Sequence, residues 1–195
     1  MKIFGTAKGG ALSKKDFGVA FSKPAEPVQV CNNCEEGVNC DTVAVNPDTN
    51  DRRKYGYKLL EDASVIGKAL TQVTLRLNNV DGSSTGTVGV YVYDASEDDN
   101  TKVGSYDVSG SNSSYANVEI ECSDSPTLEE DDLIYWENDS GRSGNINSKQ
   151  RTNYSEPTNY TYYENASNTY GTPPTATGAS ISSYPNMLNM CFTAT

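Results

Sequence analysis

The chain has 195 residues, 35% hydrophobic and 21% charged, with a formal net charge of −11 and no histidine. That length accommodates one sandwich-sized core of about 140 residues plus an appendage. The missing histidine removes the Ser-His-Asp and Cys-His arrangements, the commonest general base and the most frequent zinc ligand, and the acidity disfavours nucleic acid, whose phosphates need Lys and Arg.

Residues 1–23 read as an extended arm. Gly5, Gly9, Gly10 and Gly18 are spread through it, and its few apolar side chains cannot build a core of their own. Lys2, Lys8, Lys14, Lys15 and Lys23 against Asp16 give it a charge of 5 − 1 = +4, which leaves −11 − 4 = −15 on the remainder. Gly5–Gly10 interrupts any apolar stretch after Met1–Phe4, so no secretory leader is read here. No apolar run approaches the roughly 20 residues of a membrane-spanning helix.

Residues 24–54 read as a linker and a cysteine-rich loop. Pro24 and Pro27 favour an extended path, and Cys31, Cys34 and Cys40 follow in C-x2-C-x5-C spacing. Zinc uses such spacing but needs four ligands, and no second C-x-x-C follows. Disulfides are the favoured alternative. A bond from this loop to Cys191 would staple the appendage onto the body and contribute about 2–4 kcal/mol, mostly by restricting the unfolded chain. Five cysteines leave at least one thiol free or paired between chains.

Residues 55–195 read as an antiparallel β-sandwich. The expected strands are 55–60, 65–78, 86–93, 101–108, 115–122, 133–137 and 187–193. Val73, Leu75 and Leu77 alternate with Thr74, Arg76 and Asn78. Val88, Val90 and Val92 alternate with Gly89, Tyr91 and Tyr93. A period of two puts one set on a buried face. The same alternation turns Cys122 inward and Cys191 outward. Asp81–Ser84 and Asp94–Asn100 read as hairpin turns. A long polar, tyrosine-rich region from Asn138 to Pro185 shows only weak strand signals, near residues 158–163.

The frame of strand Leu70–Asn78, polar turn, Gly86-Thr87-Val88-Gly89-Val90-Tyr91-Val92-Tyr93-Asp94, then Ser113–Ile120, Pro126-Thr127-Leu128 and Leu133–Trp136 resembles jelly-roll β-sandwich modules. Such modules occur in phage and viral structural proteins and in bacterial and archaeal surface proteins. The resemblance implies an all-β, jelly-roll-like fold and roles in virion decoration, fibres or adhesion, sometimes with carbohydrate binding. It carries no catalytic residue to this chain.

Three further constellations stand out. Asn112, Asn138, Asn153, Asn159 and Asn165 each open an N-x-S/T sequon, four of them within residues 138–167, which suits a glycosylated outer face. Trp136, Tyr154, Tyr160, Tyr162 and Tyr163 could form a platform for sugar rings, against the commoner role of packing over the sandwich or facing another subunit. Asp94, Glu97, Asp98 and Asp99, and then Glu129, Glu130, Asp131 and Asp132, are acidic turns of a kind that Ca2+ can use, although a solvated turn is the commoner explanation. No other cofactor or metal is expected.

The sequence therefore predicts a non-enzymatic, self-associating structural protein of a virion or extracellular filament or cell surface. Its arm docks on a neighbouring subunit by β-strand addition, with Ile3, Phe4, Phe17, Val19 and Phe21 as interface side chains. The competing expectation is a carbohydrate-binding module or adhesin acting through tyrosine-rich loops. A carboxylate glycosidase ranks below both, because spacing pairs no acid with a base.

Overall fold

The structure is a computed structural model that describes residues 26–31, 54–79, 85–110, 114–139, 146–148, 150–152, 159–165, 186–188 and 190–195. Those residues form two antiparallel sheets packed face to face. Their sole helical element is one 3-10 turn, Val108–Gly110.

The first sheet contains β1 (Val28–Cys31), β3 (Leu70–Asn79), β6 (Ala116–Glu121), β8 (Ile146–Ser148) and β12 (Met190–Ala194), in the order β1-β12-β3-β6 with β8 also on β3. Leu77 pairs with both Ala116 of β6 and Ser148 of β8, so β8 lies on the β12 flank of β3. The second sheet contains β2 (Lys54–Leu59), β4 (Thr87–Asp94), β5 (Asp99–Asp107), β7 (Leu133–Asn138) and β10 (Tyr160–Asn165), in the order β10-β2-β7-β4-β5. Two short strands, β9 (Gln150–Thr152) and β11 (Asn186–Leu188), pair with each other.

Alternation sets the inner faces. Val73, Leu75, Leu77, Val118, Ile120, Met190 and Phe192 come from the first sheet, and Tyr55, Tyr57, Leu59, Val88, Val90, Val92, Ile134 and Trp136 from the second; all are buried in one core. A bulge interrupts the phase at the start of β3. Thr193 pairs with Gln72 and Ala194 with Leu70, which leaves Thr71 without a partner in that ladder. Leu70 and Val73 therefore both reach the core although they are three residues apart.

The expected strand from residue 65 begins only at Leu70. Residues 61–68 form successive turns instead, because Asp62 (φ 64°) and Gly67 (φ 79°) adopt left-handed conformations that reverse the chain. Ala63 and Val65 of this segment plug the end of the core. Hydrogen bonds from Gly67 N to Leu128 O and from Leu128 N to Lys68 O, both 2.8 Å, tie it to the next crossing. Asp132 links a second pair of turns. Its carboxylate accepts from Glu129 N at 2.8 Å and Ala95 N at 3.0 Å.

Burial pushes the Asp132 carboxyl above its ordinary value of 3.8 against the pull of those two amides. The native state then holds more protons than the unfolded chain in the window just above 3.8. The contribution of this group to stability is thus full below that window and declines as pH rises through it. Asp132→Ala strands two partly hydrated amides and is expected to cost about 2 kcal/mol. Urea titrations should show a larger gap between variant and parent in acid than at neutral pH.

β1 is a strand that sequence reasoning assigned to the linker. Val28 and Val30 are half-buried against the core, and the strand pairs antiparallel with the last strand from Val28↔Ala194 to Cys31↔Cys191. Linker residues immediately before the cysteines thus belong to the sandwich.

Candidate functional site

Two features of the sandwich carry chemistry. The first is the edge of the first sheet. Cys31 and Cys191 face each other across β1 and β12 with Cα atoms 4.1 Å apart, and they form a disulfide. This short spacing belongs to a non-hydrogen-bonded pair, where side chains approach closest. Cys191 is outward by alternation, as expected from its neighbours Met190 and Phe192 in the core. The bond closes a separation of 160 residues and fastens the sheet's terminal strand. Cys122 is half-buried and forms no disulfide. Burial, with Glu121 beside it, raises its thiol to about 12 and leaves it unreactive at neutral pH. Cys34 and Cys40 lie outside the described residues.

The second feature is the outer face of the second sheet. Leu133, Tyr135 and Glu137 of β7 point there, as do Tyr91 and Tyr93 of β4 and Lys54 and Lys58 of β2. Tyr91, Tyr93, Leu133 and Tyr135 form a separate buried apolar cluster. The Tyr91 and Tyr135 rings stack with centroids 5.3 Å apart. The Tyr91 ring lies back along its own strand over Gly89.

Polar tips finish this face. Tyr135 OH donates to Asn100 Oδ1 at 2.9 Å, and Tyr93 OH to Asp98 Oδ1 at 2.8 Å. Asp139 gathers three donors: Tyr91 OH at 3.0 Å, Lys102 Nζ at 2.7 Å and the Thr87 hydroxyl. Burial first, and then the negative charges of Asp139 and Glu137, hold the Tyr91 phenol well above its ordinary range. Tyr91 is therefore a fixed hydrogen-bond donor at any physiological pH. Glu137 also forms an ion pair with Lys54 at 3.5 Å, both side chains being 0–1% exposed.

Of the rings weighed as a sugar platform against packing, the two whose side chains are described are packed inside. Trp136 is fully buried, with its ring 5.4 Å from Tyr55, and Tyr160 is buried with its ring edge-on to Phe192 at 5.6 Å. Both sit on inward positions of their strands, so the faces a pyranose needs are taken by the core. Tyr162 and Tyr163 are on β10, with side chains outside the description, and Tyr154 lies outside the described residues. Among the sequon asparagines, Asn138 faces the interior at 3% exposure, where no glycan fits. Asn159 is half-buried, has φ 69° and donates to Asp62 O at 3.0 Å. Asn165 ends β10, while Asn112 and Asn153 lie outside the description, as do the arm residues Ile3, Phe4, Phe17, Val19 and Phe21.

The acidic turns use their carboxylates locally. Asp94 accepts from Ser96 N, Ser96 Oγ and Glu97 N and so closes the β4–β5 hairpin. Those bonds hold its carboxyl below the ordinary value. Asp131 pairs with Lys58 at 2.5 Å. Among the described residues no group of three or more Asp, Glu, Cys or His is arranged to hold a metal ion, and no helix is long and apolar enough to cross a membrane. Searches against known families, curated proteins and solved structures return no match to this chain.

The tyrosine face and the Lys54–Glu137 pair were missed by sequence reasoning. The available signal was the alternation itself, which turns Tyr91 and Tyr93 outward on their strand and Tyr135 outward on its own; the pairing of β4 with β7 then joins them in one face.

Proposed function

We propose that this chain is an architectural subunit: a jelly-roll-like sandwich that self-assembles into a virion component or extracellular filament, its basic arm adding as a strand to a neighbour. The observation that carries this reading is the disulfide-fastened strand β1, which ends its sheet among the described residues. It lies directly after the Pro24–Pro27 linker, so the arm is rooted on a strand that cannot peel away. A terminal strand also offers backbone N–H and C=O groups along its outer flank, the surface on which strand addition works. The arm's +4 charge against −15 elsewhere favours docking on another copy and makes it salt-sensitive. Contacts of this head-to-tail kind that do not close yield filaments.

Deleting residues 1–23 tests the reading. Light scattering and negative-stain microscopy should show assemblies for the full chain at low salt, weaker assembly at high salt, and monomers with unchanged circular dichroism for the truncated chain. Undiminished assembly of the truncated chain refutes the arm's role.

A further inference from the structure

β1 has little besides its disulfide to hold it on the sheet. It is four residues long, and only Val28 and Val30 pack on the core, each half-buried, while Gln29 and Cys31 are exposed. So short a ladder gains few backbone bonds against the entropy of ordering its residues. The register shows which bonds those are. Cys31↔Cys191 is a non-hydrogen-bonded pair, so alternation makes Val28↔Ala194 and Val30↔Phe192 the hydrogen-bonded pairs. The other flank of β12 pairs with β3, and it uses the alternate residues, Cys191 and Thr193. Beyond them Thr195 N donates to Ala69 O at 3.0 Å. The β1 flank of β12 can therefore open while the β3 flank stays closed.

The two sulfur-bearing residues differ in access. Cys31 is exposed, whereas Cys191 is 5% exposed. A thiolate arriving from solution meets Cys31 Sγ first, and exposed disulfides are the ones that exchange most readily. Cys122, the other cysteine described, cannot take this part. It follows β6, two strands away from β12, and is half-buried with its thiol held at about 12. The attacking thiol is external.

We propose that the Cys31–Cys191 bond is a redox clasp, which holds β1 on the sheet when closed and releases β1 alone when a dithiol reductant opens it. One thiolate of the reductant attacks Cys31 Sγ and forms a mixed disulfide there. The S–S bond breaks, and Cys191 Sγ leaves with the electron pair and takes up the proton lost by the attacking thiol. The second thiol of the reductant then attacks the mixed disulfide and gives its proton to the departing Cys31 Sγ. The reductant ends as a disulfide and the protein as two thiols. A reducing compartment thus leaves β1 loose, and an oxidising one shuts the clasp. The consequence for assembly rests on the arm reading above, because the arm is rooted only while β1 is held. The release of β1 does not depend on that reading.

Residue-resolved amide hydrogen exchange of the full chain, with and without dithiothreitol, is the test. Exchange at Val30 and Phe192 should quicken by at least roughly tenfold on reduction, while Cys191 and Thr193 keep their protection. Cys31→Ser should give the same selective pattern without reductant, which assigns the effect to this bond. Unchanged exchange at Val30 in the reduced chain overturns the proposal. So does loss of protection along the whole of β12, because the bond would then hold the sandwich together and not β1 alone. Light scattering on the same samples reads the arm separately: assemblies that persist after β1 is released refute the arm's rooting and leave the clasp in place.

Discussion

Trp136→Ala is expected to lower the unfolding free energy by about 3–5 kcal/mol, the cost of removing a large buried ring whose cavity cannot fully collapse. Trp136 is fully buried on β7, the central strand of the second sheet, with Tyr55 and Val90 opposite it on either side. For a chain of this length each kcal/mol is worth about 2–4 °C, so the melting temperature should fall by roughly 6–20 °C. Trp136→Phe is the informative companion. The indole Nε1 has no hydrogen-bond partner among the described residues, so phenylalanine removes an unsatisfied donor while keeping most of the apolar bulk. It should cost well under half as much. Thermal melts followed by circular dichroism measure both. A variant Trp136→Ala that melts with the parent would mean that this ring is not in the core.

Gly56→Val should be comparably damaging for a different reason. β2 passes so close to β7 at this point that an added Cβ would sit 2.6 Å from Tyr135 Cα and 2.7 Å from its Cβ, and would strike the Ile134 carbonyl oxygen. The obstructing atoms include main chain, so no rotamer change relieves the overlap and the strands must separate. Overpacking usually costs about 1–3 kcal/mol, and a clash with main chain belongs at or above the upper end. Gly56→Ala should show the same sign. The readouts are the urea midpoint and the yield of soluble protein. An unchanged midpoint for Gly56→Ala would contradict the close approach of these strands.

Both sites bear on the architectural reading. Trp136 and Gly56 sit where β2 and β7 join, and β2 in turn holds the terminal strand β10. Mutations here should weaken assembly only through unfolding, whereas loss of residues 1–23 should abolish assembly and leave the melt unchanged. The two effects are therefore separable.

Much of the sheet pattern was legible in the chain. Val73, Leu75 and Leu77, then Val88, Val90 and Val92, declare their inward faces by alternation alone, and all six are buried in the core. The Asp94 turn was legible too, because aspartate followed by polar residues supplies its own hydrogen bonds. The bulge at Thr71 was not. It depends on the ladder of the partner strand and leaves no mark in local composition.

The candidate site was legible only in outline. Cys191 could be placed outward and joined to the early cysteine cluster, but the choice of Cys31 required β1, and β1 carries too few residues to announce itself. Trp136 and Tyr160 left two roles open in the sequence, packing or an exposed platform, and their place in the strand phase turns both into the core.

By itself the sequence determined which short segments extend and which of their faces are apolar, because a strand's two-residue repeat is a local property of the backbone. Only the tertiary structure decided that residue 31 meets residue 191, that Lys54 is sealed against Glu137, and that the tyrosines of β4 and β7 share one outer face. Those pairings join residues far apart in the chain. They are set by strand order and register, which emerge only when two sheets compete to bury the same core.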